Sequence, residues 1–61
     1  MNVRNRGGEL IGEIEHLDYR FFWKALRGDE PIAAGNSSTL TEAVDAVEKA
    51  SFLDEATRNG Q

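Results

Sequence analysis

The chain has 61 residues and a formal net charge of −4 from 11 acidic and 7 basic residues, with pI ≈ 4.8, 39% hydrophobic residues, no Cys and one Pro. That length holds one small domain, the lack of Cys excludes a disulfide framework and thiolate metal sites, and the acidic balance argues against wrapping nucleic acid by charge alone. No apolar run approaches the ~18 residues of a membrane span, and no signal-peptide pattern opens the chain, so a soluble, cytoplasmic protein with no membrane partner is expected.

Residues 1–8 read as a flexible N-terminal tail, because Asn2, Asn5, Gly7 and Gly8 surround Arg4 and Arg6 with little to bury. Residues 9–61 then form a single small α+β domain. Residues 9–16 alternate as a strand, with Leu10, Gly12, Ile14 and His16 on one face and Ile11, Glu13 and Glu15 on the other. Leu17-Asp18 is the expected turn. Residues 19–27 make the clearest strand: Tyr19, Phe21, Trp23 and Ala25 share an uncharged, core-facing side, and Arg20, Phe22, Lys24 and Leu26 share the other. A two-residue turn at 17–18 would pair Ile14 with Phe21, Gly12 with Trp23 and Glu15 with Arg20, and lay the indole over Gly12.

Arg27-Gly28-Asp29-Glu30 is a second turn, with Gly28 available for positive φ, and residues 31–35 are a short third strand that Pro31 suits to a sheet edge. After the Asn36-Ser37-Ser38 loop, Thr39 and Glu42 spell a capping box. Leu40, Ala43, Val44, Val47 and Ala50 follow as one apolar stripe. Continued at helical spacing, that stripe would carry Asp54, whereas Phe52 and Leu53 would fall off it. The helix is therefore expected to end or bend near Ser51, with a short C-terminal helical tail stopped by Gly60. The expected architecture is a three-stranded antiparallel β-meander with one amphipathic helix packed on one face (βββα). Ile11, Phe22 and Leu26 would lie among charges on the uncovered face.

Two resemblances bear on this reading. Tyr19-Arg20-Phe21, Lys24-Ala25, Gly28-Asp29 and Ile32-Ala33 resemble the YegP-like family of small bacterial β-β-α proteins over residues 19–50, with one extra residue here after the turn. That likeness implies a strand-strand-helix unit that doubles, within one chain or as a dimer, and no enzyme activity. Gly35, Thr39-Leu40, Glu42-Ala43-Val44, Ala46 and Ala50 resemble the helix start of HicB-like antitoxins over residues 35–50, without the separate DNA-binding segment that many of them carry. It implies an acidic protein that masks a basic, RNA-cleaving toxin.

Chemistry-bearing residues are few. His16, the one His, has no second ligand or nucleophile at a fitting spacing, and the hydroxyls of residues 37–41 have no base to activate them. No residue set points to a cofactor or a metal, and the chain is too short to build a cleft, so no enzyme is expected. Arg27-Gly28-Asp29 matches an adhesion tripeptide but is expected simply as turn chemistry. A domain this small is marginal alone without disulfides or metal, which predicts a homodimer or a larger complex.

The favoured function is a non-enzymatic acidic protein-binding module. It would be an inhibitor or antitoxin-like protein, in the manner of small phage inhibitors of CRISPR machinery, that blocks a basic nucleic-acid-binding or nucleic-acid-cleaving partner. Phe22, Leu26, Phe52 and Leu53 would be apolar anchors, and Glu13, Glu15, Asp45, Glu48 and Glu55 the acidic surface. The alternatives are a single-stranded nucleic-acid module stacking bases on Tyr19, Phe21 and Trp23, and a structural homodimer.

Overall fold

The computed structural model describes residues 1–59, and the side chains of residues 1–57. Strands β1 (Asn2–Arg4), β2 (Leu10–Leu17), β3 (Arg20–Arg27) and β4 (Glu30–Ser37) form one antiparallel sheet in chain order, and helix α1 (Leu40–Asn59) packs on one face of it. The α+β class and the covering helix are as the sequence pattern predicts. The sheet has four strands rather than three.

The additional strand comes from the segment read as a tail. Asn5 turns the chain back: its Oδ1 accepts from the N–H groups of Gly7 (2.9 Å) and Glu9 (3.0 Å), and Gly8 takes φ 83°. This Asx-type loop returns β2 alongside β1 and lets Val3 enter the core. The signal was Asn5 followed by Gly7-Gly8, which is turn chemistry as much as tail composition.

The β2–β3 turn is at Asp18-Tyr19, one residue later than expected, with φ of 50° and 65°. Positive φ at both central residues is the type I′ geometry, whose twist matches that of the flanking strands. Ile14 therefore pairs with Trp23, Gly12 with Ala25 and Glu15 with Phe22, replacing the expected partners Phe21, Trp23 and Arg20. Moving a turn by one residue shifts cross-strand pairing by two, so each side chain keeps its face although every partner changes. Tyr19, expected in the core row, instead occupies the turn and is 91% exposed. Trp23 packs over Gly35 of β4 rather than over Gly12: a Cβ on Gly35 would lie 2.8 Å from the indole.

Two β-bulges enlarge the buried face. Val3 pairs with Gly12 and Arg4 with Leu10, so Ile11 is the extra residue on β2; Ala25 pairs with Ala33 and Leu26 with Pro31, so Ile32 is the extra residue on β4. A bulge breaks the period of two. It brings Ile11, expected on the uncovered face, into the core beside its neighbour Gly12, and sets Ile32 and Ala33 together against the helix side.

Helix α1 starts as predicted. Glu42 N–H donates to Thr39 Oγ1 (3.2 Å), while the hydroxyls of Thr39 (3.1 Å) and Ser38 (3.0 Å) donate to the Glu42 carboxylate. Ala43 and Val47 are fully buried, and Val44 and Ala50 flank them. The helix does not end at Ser51 but runs through to Asn59. Gly60, expected as its stop, lies outside the described residues.

The core is Val3, Ile11, Ile14, Ala25, Ala43 and Val47, and Gly12 sets its thickness. A Cβ at Gly12 would lie 2.4 Å from Val47 Cγ1 and 2.7 Å from the Lys24 carbonyl oxygen. Gly12→Ala is accordingly expected to destabilise the fold by about 2 kcal/mol in urea unfolding, from overpacking against a backbone that cannot yield. Tyr19→Gly is expected to stabilise it by about 0.5–1 kcal/mol, because glycine adopts the left-handed conformation without the Cβ penalty. The same unfolding experiment reads both.

Candidate functional site

The continuity of α1 decides which of the predicted binding residues meet. At about 100° per residue, Ala43, Val47 and Asp54 share the sheet-facing line, and Asp45, Glu48, Phe52 and Glu55 cluster on the opposite, solvent side. All four of these are exposed, Phe52 to 68%. Three carboxylates thus share one helix face with an uncovered aromatic ring, Glu48 and Glu55 one turn from it and Asp45 two turns away, and the exposed Lys49 flanks them. A cavity of about 220 Å³ lies alongside, bordered by Glu48, Phe52 and Glu55 of α1, by Ile11, and by Asn5 and Arg6 of the β1–β2 loop. Its rim carries two carboxylates and one guanidinium beside the aromatic wall, so a further Lys or Arg side chain would meet Glu48 and Glu55 with its charge and the ring with its stem or guanidinium.

Asp54 holds this face in place. Its position on the apolar stripe, which looked like a reason for the helix to stop, is filled by an ion pair. Arg27 Nη2 donates to Asp54 Oδ1 (2.8 Å) and Arg27 Nε to Asp54 Oδ2 (3.1 Å), and Glu30 stands 3.6 Å from the same guanidinium. The hydrogen bond and charge of Asp54 first, and the charge of Glu30 after them, raise the Arg27 pKa above its already high ordinary value. The second half of α1 is thereby tied to the end of β3. Arg27 and Asp54 are the residues that sequence reasoning missed. The only signal was an acid at a core-facing helical position with an Arg at the far end of the adjacent strand.

The other predicted residues lie elsewhere. Glu13, Glu15 and Phe22 belong to the sheet face that α1 leaves open, with Phe22 43% exposed. Glu13 pairs there with Lys24, and Arg20 Nε donates to Asn36 Oδ1 (3.0 Å), so this face carries both signs of charge. A shallow cavity of about 470 Å³ there is bordered by Glu13, Glu15, Phe22 and Lys24. Leu17, assigned to a turn by sequence, is a further half-exposed apolar residue at the end of β2. Leu26 is half-buried and borders a cavity with Arg27, Ser51 and Asp54. Leu53, 52% exposed, lies on the β4 flank of α1 beside Ile32 and Ala50. The four expected anchors therefore do not converge on one surface. Phe52 alone joins the acidic residues of the helix, and Phe22 joins Glu13 and Glu15 across the sheet.

The three aromatics of the expected stacking platform are also separated. Tyr19 is at the hairpin turn, while Phe21 and Trp23 are half-buried against the core on the helix side. His16 stacks on Phe21, with ring centroids 4.2 Å apart and planes 9° apart, which gives this lone His a packing partner. Among the described residues, no helix is long and apolar enough to cross a membrane. Comparison of the chain with protein-family models, with curated proteins and with solved structures finds no match.

Loss of the Arg27–Asp54 pair has a local signature. Arg27→Met is expected to speed amide hydrogen exchange at residues 54–57 of α1 while leaving protection at residues 43–47 unchanged, as for a terminal segment that opens independently of the core.

Proposed function

We propose that this chain is a non-enzymatic, acidic protein-binding module. It acts as an inhibitor or antitoxin-like protein that masks a basic nucleic-acid-binding or nucleic-acid-cleaving partner with the solvent face of α1. The observation that carries this reading is the grouping of Asp45, Glu48 and Glu55 around Phe52 on one uninterrupted helix. An exposed aromatic on a face where acids outnumber the flanking Lys49 is poorly explained by stability, since the ring adds nothing to the core. Both features gain on docking: the ring is desolvated, and the carboxylates find cationic partners. The helix start at Thr39-Leu40 and Glu42, which resembles that of HicB-like antitoxins, is in keeping with such a role.

Binding driven this way depends on salt, because rim charges act mainly on the encounter and are screened beyond about 8 Å at physiological ionic strength. In a capture experiment with the tagged chain, a basic protein is expected to be retained at low salt and released as salt rises. Phe52→Ala is expected to weaken binding by about tenfold or more, the scale of a central aromatic anchor. Glu48→Lys should weaken it further at low salt than at high salt. The captured protein's action on nucleic acid should fall as the chain is added. Retention that ignores both salt and these substitutions would refute the proposal, as would quenching of Trp23 fluorescence by micromolar single-stranded RNA.

A further inference from the structure

β4 is the other surface built for contact. It ends the sheet order β1-β2-β3-β4, so its outer side offers backbone N–H and C=O groups with no strand beside them among the described residues. Sheet edges of this kind are ordinarily blunted by brevity, by charged side chains, or by Pro and bulges. The opposite edge, β1, is blunted by brevity, with three residues. β4 has eight, and its Pro31 and its bulge at Ile32 both lie at one end. Residues 33–37 (Ala-Ala-Gly-Asn-Ser) carry no charge and no bulky side chain. Beside this edge, Ile32, Ala33, Ala50 and the half-exposed Leu53 border a cavity of about 330 Å³, so an apolar shelf accompanies the unpaired backbone.

We infer that β4 pairs antiparallel with β4 of a second copy of this chain, about a twofold axis at Ala34. The charge pattern and the symmetry of the segment fit this occupant. The uncharged residues 31–37 are centred on Ala34, so self-pairing there meets no like charge, and Glu30 of each copy is carried to the opposite end from its mate. Residues paired about that axis lie on the same face of the joint sheet, which sets both helices on one side and turns each Leu53 shelf toward the neighbouring copy. Pro31, without an N–H, and the bulge at Ile32 limit the ladder at both ends of the symmetric pairing. The contact therefore closes as a dimer instead of slipping in register. A core whose only large, fully buried side chain among the described residues is Val47 gains from the added burial. This interface lies on the β4 flank of α1, away from the Phe52 face, and leaves that face open in both copies.

The test is a charge swap at the axis, read by sedimentation velocity from micromolar to millimolar protein. Ala34 is exposed and pairs with Lys24 on β3, so Ala34→Glu gains a favourable neighbour within each copy while setting Glu against Glu across the axis. The wild type is expected to dimerise, and Ala34→Glu and Ala34→Lys to raise the dissociation constant by about tenfold or more each. An equimolar mixture of the two should dimerise more tightly than either alone. Leu53→Asp, at an exposed helical position, should also weaken the dimer, with circular dichroism showing the fold retained in every variant. A wild type that stays monomeric at millimolar concentration overturns the inference. So does a mixture of the charge variants that associates no better than its parents, or a dimer that both Ala34 variants leave unchanged.

Discussion

The fold depends on one close approach, that of Val47 to Gly12. Helix α1 can sit on the sheet at this depth only because β2 has no side chain at that point, and Ala25, the residue opposite on β3, is nearly as small. Small residues beneath and a β-branched residue above make a dry contact in a chain with little else to bury. The position of α1 follows from it. Once Val47 is seated, helical geometry sends Asp54 down toward the end of β3 and sends Asp45, Glu48, Phe52 and Glu55 out to solvent.

The bulges at Ile11 and Ile32 answer the shortage of core in a different way. A regular strand gives half of its residues to each face, and eight-residue strands would leave these isoleucines on the uncovered side. Inserting one residue into β2 and one into β4 turns both toward α1. The apolar surface so recovered is large for a domain whose buried set, among the described residues, is six apolar side chains. The price is a local break in each ladder at the sheet's two outer strand pairs, and on β4 that break also marks where the free edge stops being regular.

Charge ties the two halves of the molecule together and also divides its surfaces. Arg27 ends the basic, aromatic strand and reaches Asp54 near the end of the acidic helix, so the local excesses of opposite sign meet at one partly exposed ion pair. Of the other helical acids, Glu42 caps the helix start and Asp45, Glu48 and Glu55 outnumber Lys49 on the Phe52 face, whereas on the open sheet face Glu13 and Glu15 stand beside Lys24 and Arg20. The helix face is thus the more strongly acidic of the two surfaces, and the sheet face is mixed. The sheet face runs out to Ala34 and Gly35 on the β4 edge, whereas the helix face does not reach it.

Much of this was legible in the residues themselves. The alternation of β2 and β3, the Arg27–Glu30 turn, the Thr39–Glu42 cap and the stripe from Ala43 to Ala50 are local patterns, set by side-chain period and backbone preference within a few residues. That Phe52 falls off the apolar stripe was legible for the same reason. Other features were decided only by tertiary structure. Whether Asn5-Arg6-Gly7-Gly8 is a tail or a turn depends on whether Val3 has a core to enter. The choice of Asp18-Tyr19 over Leu17-Asp18 depends on pairing along the whole hairpin, since both registers keep the same faces. The bulges exist because α1 rewards two more isoleucines on its side of the sheet. Asp54 reads as a helix breaker until Arg27, twenty-seven residues away, is brought beside it. Local sequence determines which way each side chain faces; contacts between distant segments determine what it meets.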